Sequence, residues 1–248
     1  MIKPAFITPE DQPTVVGNVF GTPVVVKDWT GLPLIELVVW GILTWVTSHN
    51  KPHWSWCKRV YASAVNTTII LGSEWCHNLA HTAVAYRIGK PVNAIRIFFG
   101  TPILIYYDIN DLNVKPTEHI MRALGGPVFN ALLVPFCCLA RHFTLQGSLT
   151  RYAADYALGT NSVLSTISLL PIPGIDGGPL LKWSLVEKGH GQAEADQIVK
   201  GVNLAMGSGL SVAAGVAFKK RWKWLGVAIT AFAATSLAIG TGLLKEQK

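Results

Sequence analysis

Six apolar runs dominate the chain, and each is long enough to form a helix that crosses a bilayer, for which about 17–25 residues suffice. The runs cover residues 32–48, 60–88, 120–143, 152–170, 202–218 and 224–244. A segment inside lipid has to satisfy its backbone hydrogen bonds internally, which favours helices. We therefore predict an all-α polytopic membrane protein with about six transmembrane helices.

Charged residues are scarce, and the positive ones fall mainly in the short loops between these runs. They make up 14% of the chain, against about 25% in a soluble domain, and 21 Lys and Arg outnumber 14 Asp and Glu. Basic loops of this kind are typical of membrane proteins, whereas a nucleic-acid binder would need a polar basic domain that is absent here. We expect an integral multi-pass protein of the cell membrane, in contact with the lipid bilayer and with no nucleic-acid partner.

Two stretches have the composition of strands. Residues 14–27 combine Val and Thr with Gly and Pro, and residues 92–107 hold β-branched and aromatic side chains around the break Gly100-Thr101-Pro102. Each side of that break is too short to span a membrane as a helix, so we predict a small membrane-associated β segment. The predicted regions are a short-strand segment at 1–30, a membrane core at 31–185, and a polar stretch with two C-terminal transmembrane helices at 186–248.

The strongest chemical signal is a pair of histidines one helical turn apart. His77 and His81 share one face of a helix, so both imidazoles can point at one metal ion, although a pair of hydrogen-bonded core histidines would have the same spacing. Histidine is rare at membrane depth, which favours a function. Asp176 lies in a Pro- and Gly-rich break of a later run, and a broken helix at this depth lines a cavity or is buried in protein. Two imidazoles and a carboxylate, with a fourth position open to water, make a catalytic zinc site.

These motifs resemble those of the site-2 protease family of intramembrane zinc metalloproteases. The family's H-E-x-x-H helix corresponds to residues 77–81, and its P-x-P-x-L-D-G-G segment to residues 171–178. Gly125-Gly126-Pro127-x-x-Asn130 is similar to the motif on the intervening helix, and residues 92–107 to the segment that presents substrate. The resemblance covers residues 16–185. It implies a Zn²⁺ ion held by His77, His81 and Asp176, and cleavage of peptide bonds in transmembrane segments.

One departure from the family pattern bears directly on activity. Asn78 stands where the family has the glutamate that serves as general base, and an amide cannot take up a proton. Zinc alone still lowers the pKa of its bound water toward ~7, while the loss of a general base costs about 10²–10⁴-fold in rate. The sequence thus predicts a metal site with inactive or much weakened hydrolysis. An engineered mutant, a natural pseudoprotease and a relocated base would each explain Asn78.

Two further residues have alternative roles. Glu74 precedes His77 by three residues on roughly the same helical face, so it is a candidate substitute base. The alternative, which we favour, is a hydrogen bond to a neighbouring helix or a place at a wet vestibule. Asn130 either joins helices through hydrogen bonds or, as the resemblance implies, contacts the substrate.

Other functions compete with proteolysis. The chain can be a non-catalytic membrane scaffold that binds transmembrane helices, or a subunit of a larger membrane complex. A membrane di-iron desaturase or hydroxylase needs several histidine boxes with adjacent histidines. Because the chain has seven histidines and no adjacent pair, we set that function lowest.

Overall fold

A computed structural model describes residues 7–244 of the chain. The fold divides into two compact units, one of Met1–Ile109 with Leu124–Ile167 and one of Asn110–Ala123 with Ser168–Lys248. The ends of the predicted regions 1–30 and 186–248, residues 1–6 and 245–248, lie outside the described residues. The three predicted regions themselves stay predictions.

Helices account for most of the described residues, which confirms the mainly helical fold. They are α1 (Leu34–Asn50), α2 (Trp56–Arg87), α3 (Pro116–His142), α4 (Leu149–Thr166), α5 (Gly177–Glu187), α6 (Gln192–Lys219) and α7 (Lys223–Gly240). Every apolar run lies in or overlaps one of them. Helix α6 begins ten residues before its apolar run, because the preceding polar stretch continues the same helix.

Three helices are long and apolar enough to cross a membrane by length and composition: α3, α6 and α7. Helix α3 also exposes large apolar side chains, with Leu132 64% and Phe136 69% exposed. Helices α1, α2 and α4 are not among the three. Helix α1 has only 17 residues. Helix α2 is continuous, but polar side chains such as Asn66 and Ser73 lower its mean hydropathy. Three of the six predicted transmembrane helices are therefore candidate membrane spans, and the number six stays a prediction.

The predicted strands form two hairpins that join into one sheet. Its strands are β1 (Thr14–Val19), β2 (Thr22–Val26), β3 (Ala94–Phe98) and β4 (Thr101–Ile105), which lie in that order. Each hairpin is antiparallel, and β2 pairs with β3 in parallel, with Val24 opposite Ile95. Val25, Ala94 and Ile105 are at most 2% exposed and form a small hydrophobic core. The predicted strands are thus present, and both hairpins belong to one four-stranded sheet.

The turn between β3 and β4 is attached to the first two helices. Gly100 has a φ of +100°, and a Cβ built there would lie 1.9 Å from a carboxylate oxygen of Glu36, so the carboxyl group packs directly on the glycine. The backbone N–H of Ile35 donates to Phe99 O over 3.2 Å, and the indole N–H of Trp75 donates to Gly100 O over 3.4 Å. The hairpin is therefore held by α1 and, through Trp75, by the helix that carries the histidine pair.

Helices α1, α2 and α4 are also linked by polar side chains. The hydroxyl of Ser63 in α2 donates to Thr47 Oγ1 in α1 over 3.1 Å, and the same Thr47 oxygen lies 3.1 Å from the hydroxyl of Tyr152 in α4. Ser63 and Thr47 are fully buried. Such buried hydroxyls need partners inside the protein, so these contacts fix the three helices relative to one another.

In the second unit, α6 and α7 form a close helical hairpin. A Cβ on Gly207 would lie 2.8 Å from the side chain of Leu237, and one on Gly240 would lie 2.7 Å from the backbone of Leu204. Small residues let two helices approach this closely where no side chain has to fit between them. Helix α6 also packs against α5.

Candidate metal centre

His77 and His81 face each other on α2. Both are buried, at 7% and 4% exposure, and their Nε2 atoms lie 3.0 Å apart. The ring planes are inclined at 77°. Because zinc–imidazole bonds are about 2.0–2.1 Å long, two nitrogens at this separation can bind one ion on the same side of the helix. The spacing in the sequence predicted this pairing.

A chain of buried amides fixes the orientation of His77. The side-chain amide of Asn161 donates to the carbonyl of Ala157 over 2.8 Å, so its oxygen points the other way and accepts from Asn130 Nδ2 at 2.7 Å. The oxygen of Asn130 then faces His77 Nδ1 at 2.6 Å. Since an amide oxygen only accepts, the proton of neutral His77 lies on Nδ1 and its Nε2 lone pair is directed at His81. This is the tautomer that a metal ligand requires.

Asn130 and Asn161 connect three helices at this site. Asn130 is fully buried on α3, and Asn161 of α4 also donates to Ser73 Oγ of α2 over 3.3 Å. Both groups of the Asn130 amide are therefore used within the protein, which favours the hydrogen-bonding alternative for this residue. Its role as a substrate contact stays a prediction. A lone amide in an apolar run has to find a partner, but the pairing of Asn161 with Asn130 was not predictable from the sequence.

Two glycines of α3 allow it to approach the histidines. A Cβ on Gly125 would lie 2.9 Å from His81 Cα, and one on Gly126 would lie 2.5 Å from His77 Nε2 and 2.4 Å from His81 Nε2. The space beside both ring nitrogens is open only because residue 126 has no side chain. The backbone N–H of Gly126 also donates to His81 Nδ1 over 3.3 Å, which places the proton of neutral His81 on Nε2, facing the Nε2 lone pair of His77. A metal ion bound between the two Nε2 atoms would have to replace that proton.

Asn78 lies next to His77 and is bonded to its own helix. Its Nδ2 donates to the backbone oxygen of Glu74 over 3.0 Å, and the side chain is half-buried. The group at the position of the family's general base is thus a hydrogen-bond donor. It cannot accept a proton from water.

Glu74 opens onto a cavity of about 730 Å³ in the first unit. The cavity lies between the end of α1, the middle of α2 and α4, and other residues in its wall are Lys51, Ile70, Tyr152 and Tyr156. This place in the cavity wall agrees with the vestibule alternative, which stays a prediction. A role for Glu74 as substitute base stays a prediction.

Asp176 belongs to the second unit and lies directly before α5. The segment before it turns at Gly174, with a φ of +94°, and Gly177 packs so closely that a Cβ would lie 2.1 Å from Leu170 O. Asp176 itself has helical backbone angles, and its side chain does not cap α5. The positive end of a helix dipole stabilises a carboxylate at this position. The break predicted at residues 171–178 is thus present, and it ends in a helix that begins at the acidic residue.

Comparisons with known proteins agree with the resemblance. No family model matches the chain. The protein named "Putative zinc metalloprotease Rip3" in two strains of Mycobacterium tuberculosis is 28% identical over 206 residues, which cover 76% of this chain and 49% of the relative. The chain therefore spans about half the length of these relatives. The solved site-2 protease from Methanocaldococcus jannaschii shares the fold, with a TM-score of 0.53 over 91% of this chain and 95% of that one at 14% identity. The predicted resemblance to the site-2 protease family is confirmed.

Proposed function

We propose that the chain is the membrane core of a site-2-protease-like intramembrane zinc metalloprotease, with its zinc ion held by His77, His81 and Asp176. The three ligands are the ones that the two sequence motifs predict, and the two histidines lie on one face of α2 with their Nε2 atoms 3.0 Å apart. The observation that carries the proposal is the pair of facing imidazole nitrogens, with His77 held in the metal-binding tautomer by Asn130. The relatives named as zinc metalloproteases and the shared fold support the choice of metal and reaction.

The donor set suits zinc. Two neutral imidazoles and one carboxylate leave a fourth position of a tetrahedral site open, and the absence of a side chain on Gly126 leaves room beside both nitrogens. Bound zinc would polarise the substrate carbonyl and lower the pKa of a bound water. The protein orients His77 through Asn130, while Asn78 leaves the proton of that water without a carboxylate acceptor. We therefore propose peptide-bond hydrolysis that is inactive or much weakened.

The proposed substrate is a transmembrane segment of another membrane protein. Strand β4 is an edge strand of the described sheet, so an unwound segment could pair with it by strand addition. Trp75 of α2 donates to the turn beside β4, so a paired segment would lie against the helix that also carries His77 and His81. We place the protein in the cell membrane, surrounded by lipid.

Metal analysis separates this proposal from the scaffold alternative. We expect the purified protein to contain zinc and His77→Ala to lose it, because one imidazole and one carboxylate bind zinc far more weakly than the full set. Zinc would be measured by mass spectrometry of the metal, and folding by circular dichroism. His142→Ala, which changes an exposed histidine of α3, is the control and should retain zinc. A native protein without zinc, or equal zinc content in native protein and His77→Ala, would favour the scaffold.

The amide that orients His77 gives a second prediction. Asn130→Leu removes the acceptor of the His77 Nδ1 proton, so we expect zinc affinity to fall about 10–100-fold, as for other second-sphere partners of metal-binding histidines. The dissociation constant would be measured by competition with a zinc-binding dye. Cys138→Ala, an exposed change on the same helix, should leave the affinity unchanged. An unchanged affinity in Asn130→Leu would mean that Asn130 does not support a metal ligand.

A further inference from the structure

One face of α6 holds the segment that carries Asp176. Asn203 is fully buried on that face, and its Nδ2 donates to Pro171 O over 2.6 Å and to Val199 O over 2.9 Å. Both amide hydrogens are therefore used, one within α6 and one on the irregular segment. The bond fixes the backbone five residues before Asp176.

The same face of α6 also contacts α5, the helix that follows Asp176 in the sequence. Asp196, seven residues before Asn203 and so two turns away, forms a 2.7 Å ion pair with Lys182 of α5. The Lys182 side chain is only 5% exposed and also donates to Asn110 Oδ1 over 2.7 Å. A buried ammonium group depends on such partners, so this contact fixes α5 firmly. It lies six residues after Asp176.

The segment between these two contacts turns tightly on itself, with Gly177 and Gly178 packed against the backbone of residues 169–173. Its backbone hydrogen bonds are short-range, such as Ile175 N to Ile172 O at 3.2 Å, and Gly174 has a positive φ. A ligand has to be held to within a few tenths of an ångström to bind a metal well. Contacts on both sides of Asp176 would supply that precision.

We propose that Asn203 and Asp196 of α6 are positioning residues that set the place of the Asp176 carboxylate. The inference rests on the proposed metal centre and adds to it a helix for which the sequence offered no motif. It concerns contacts within the second unit alone. Neither residue is proposed to touch the metal or the substrate.

An unsatisfied atom makes the positioning role separable from folding. The Oδ1 atom of Asn203 is buried and has no hydrogen-bond partner among residues 7–244. An unpaired buried carbonyl destabilises a fold, because it has lost its hydrogen bonds to water without gaining any in the protein. Asn203→Leu removes this atom together with the donor, so the loss of the bond to Pro171 is offset in stability. The segment 171–176 still loses the hydrogen bond that holds it to α6.

The test uses Co²⁺ as a spectroscopic substitute for zinc in the full chain in detergent micelles. We expect Asn203→Leu to raise the dissociation constant for Co²⁺ about 10–100-fold and to change its visible absorption, while the unfolding temperature of the metal-free protein stays unchanged. Asn203→Ala, which cannot clash, serves the same purpose if the leucine variant does not fold. Ser208→Ala, on the exposed side of α6, is the matched control and should match the native protein in both measurements.

Two results would overturn the inference. Native affinity and spectrum in the Asn203 variants would show that the tether does not position a ligand. A fall in affinity accompanied by an equal loss of metal-free stability would show that Asn203 only supports the fold. Failure of the native protein itself to bind Co²⁺ is a different outcome, because it removes the metal centre on which the inference rests.

Discussion

Asn78→Glu should raise the rate of peptide-bond cleavage by about 10²–10⁴-fold, the usual contribution of a general base. The position adjoins His77 on α2, and the asparagine side chain there reaches back only to the Glu74 carbonyl, 3.0 Å away. A glutamate is one methylene longer and carries a carboxylate that can accept the proton of a metal-bound water. The same carboxylate can then return the proton to the leaving amine. Zinc binding itself should change little, since Asn78 is not a proposed ligand.

The measurement is cleavage of a panel of single-span substrates in proteoliposomes by both forms of the full chain. Asn78→Gln is the control, because it adds the same methylene without a titratable group and should give no gain. Equal cleavage by native protein and Asn78→Glu would show that Asn78 does not limit the reaction. In that case Glu74→Gln should abolish the native activity if Glu74 is a substitute base, and leave it intact if Glu74 only lines the cavity.

The sequence predicted those parts of the fold that depend on local pattern. Each apolar run became part of a helix, and the β-branched stretches on either side of Gly100 became a hairpin. The parallel pairing of β2 with β3 was not predictable, because it joins residues about 70 positions apart and depends on how the first two helices fold back. Composition also does not identify α2 as a membrane span, because the polar side chains that suggest a function lower its mean hydropathy.

In the site, too, local pattern was predictable and long-range packing was not. The His77 and His81 pairing could be inferred from their spacing, because helix geometry alone brings the two rings to one face. The partner of Asn130 could not be inferred from the sequence. It depends on which helix packs against α3 at that point, and here it is Asn161 of α4. The polar contacts of α6 were also not predictable, because a single asparagine in a long helix belongs to no recognisable motif. Sequence pattern thus predicts ligands better than it predicts the groups that orient them.

Gly126→Ala should abolish zinc binding. A methyl group there would lie 2.4–2.6 Å from ring atoms of His77 and His81, in the space that an ion between the two Nε2 atoms needs. The rings or α3 would have to move, which costs about 1–3 kcal/mol of folding stability, and the methyl group would also occupy the place of the ion. In the Asn78→Glu background, the same change should return cleavage to the level of the native chain or below.

Zinc content and cleavage in the two backgrounds would be compared with Gly72→Ala. Gly72 lies on the exposed side of α2, and a Cβ there meets no atom within 4 Å, so this alanine should leave both measurements unchanged. Because alanine favours a helix more than glycine does, the control tests whether a glycine-to-alanine change in a helix of this unit matters by itself. Full zinc binding by a folded Gly126→Ala protein would mean that the metal is not held between the two Nε2 atoms. The proposed centre would then be wrong even if both histidines proved essential for another reason.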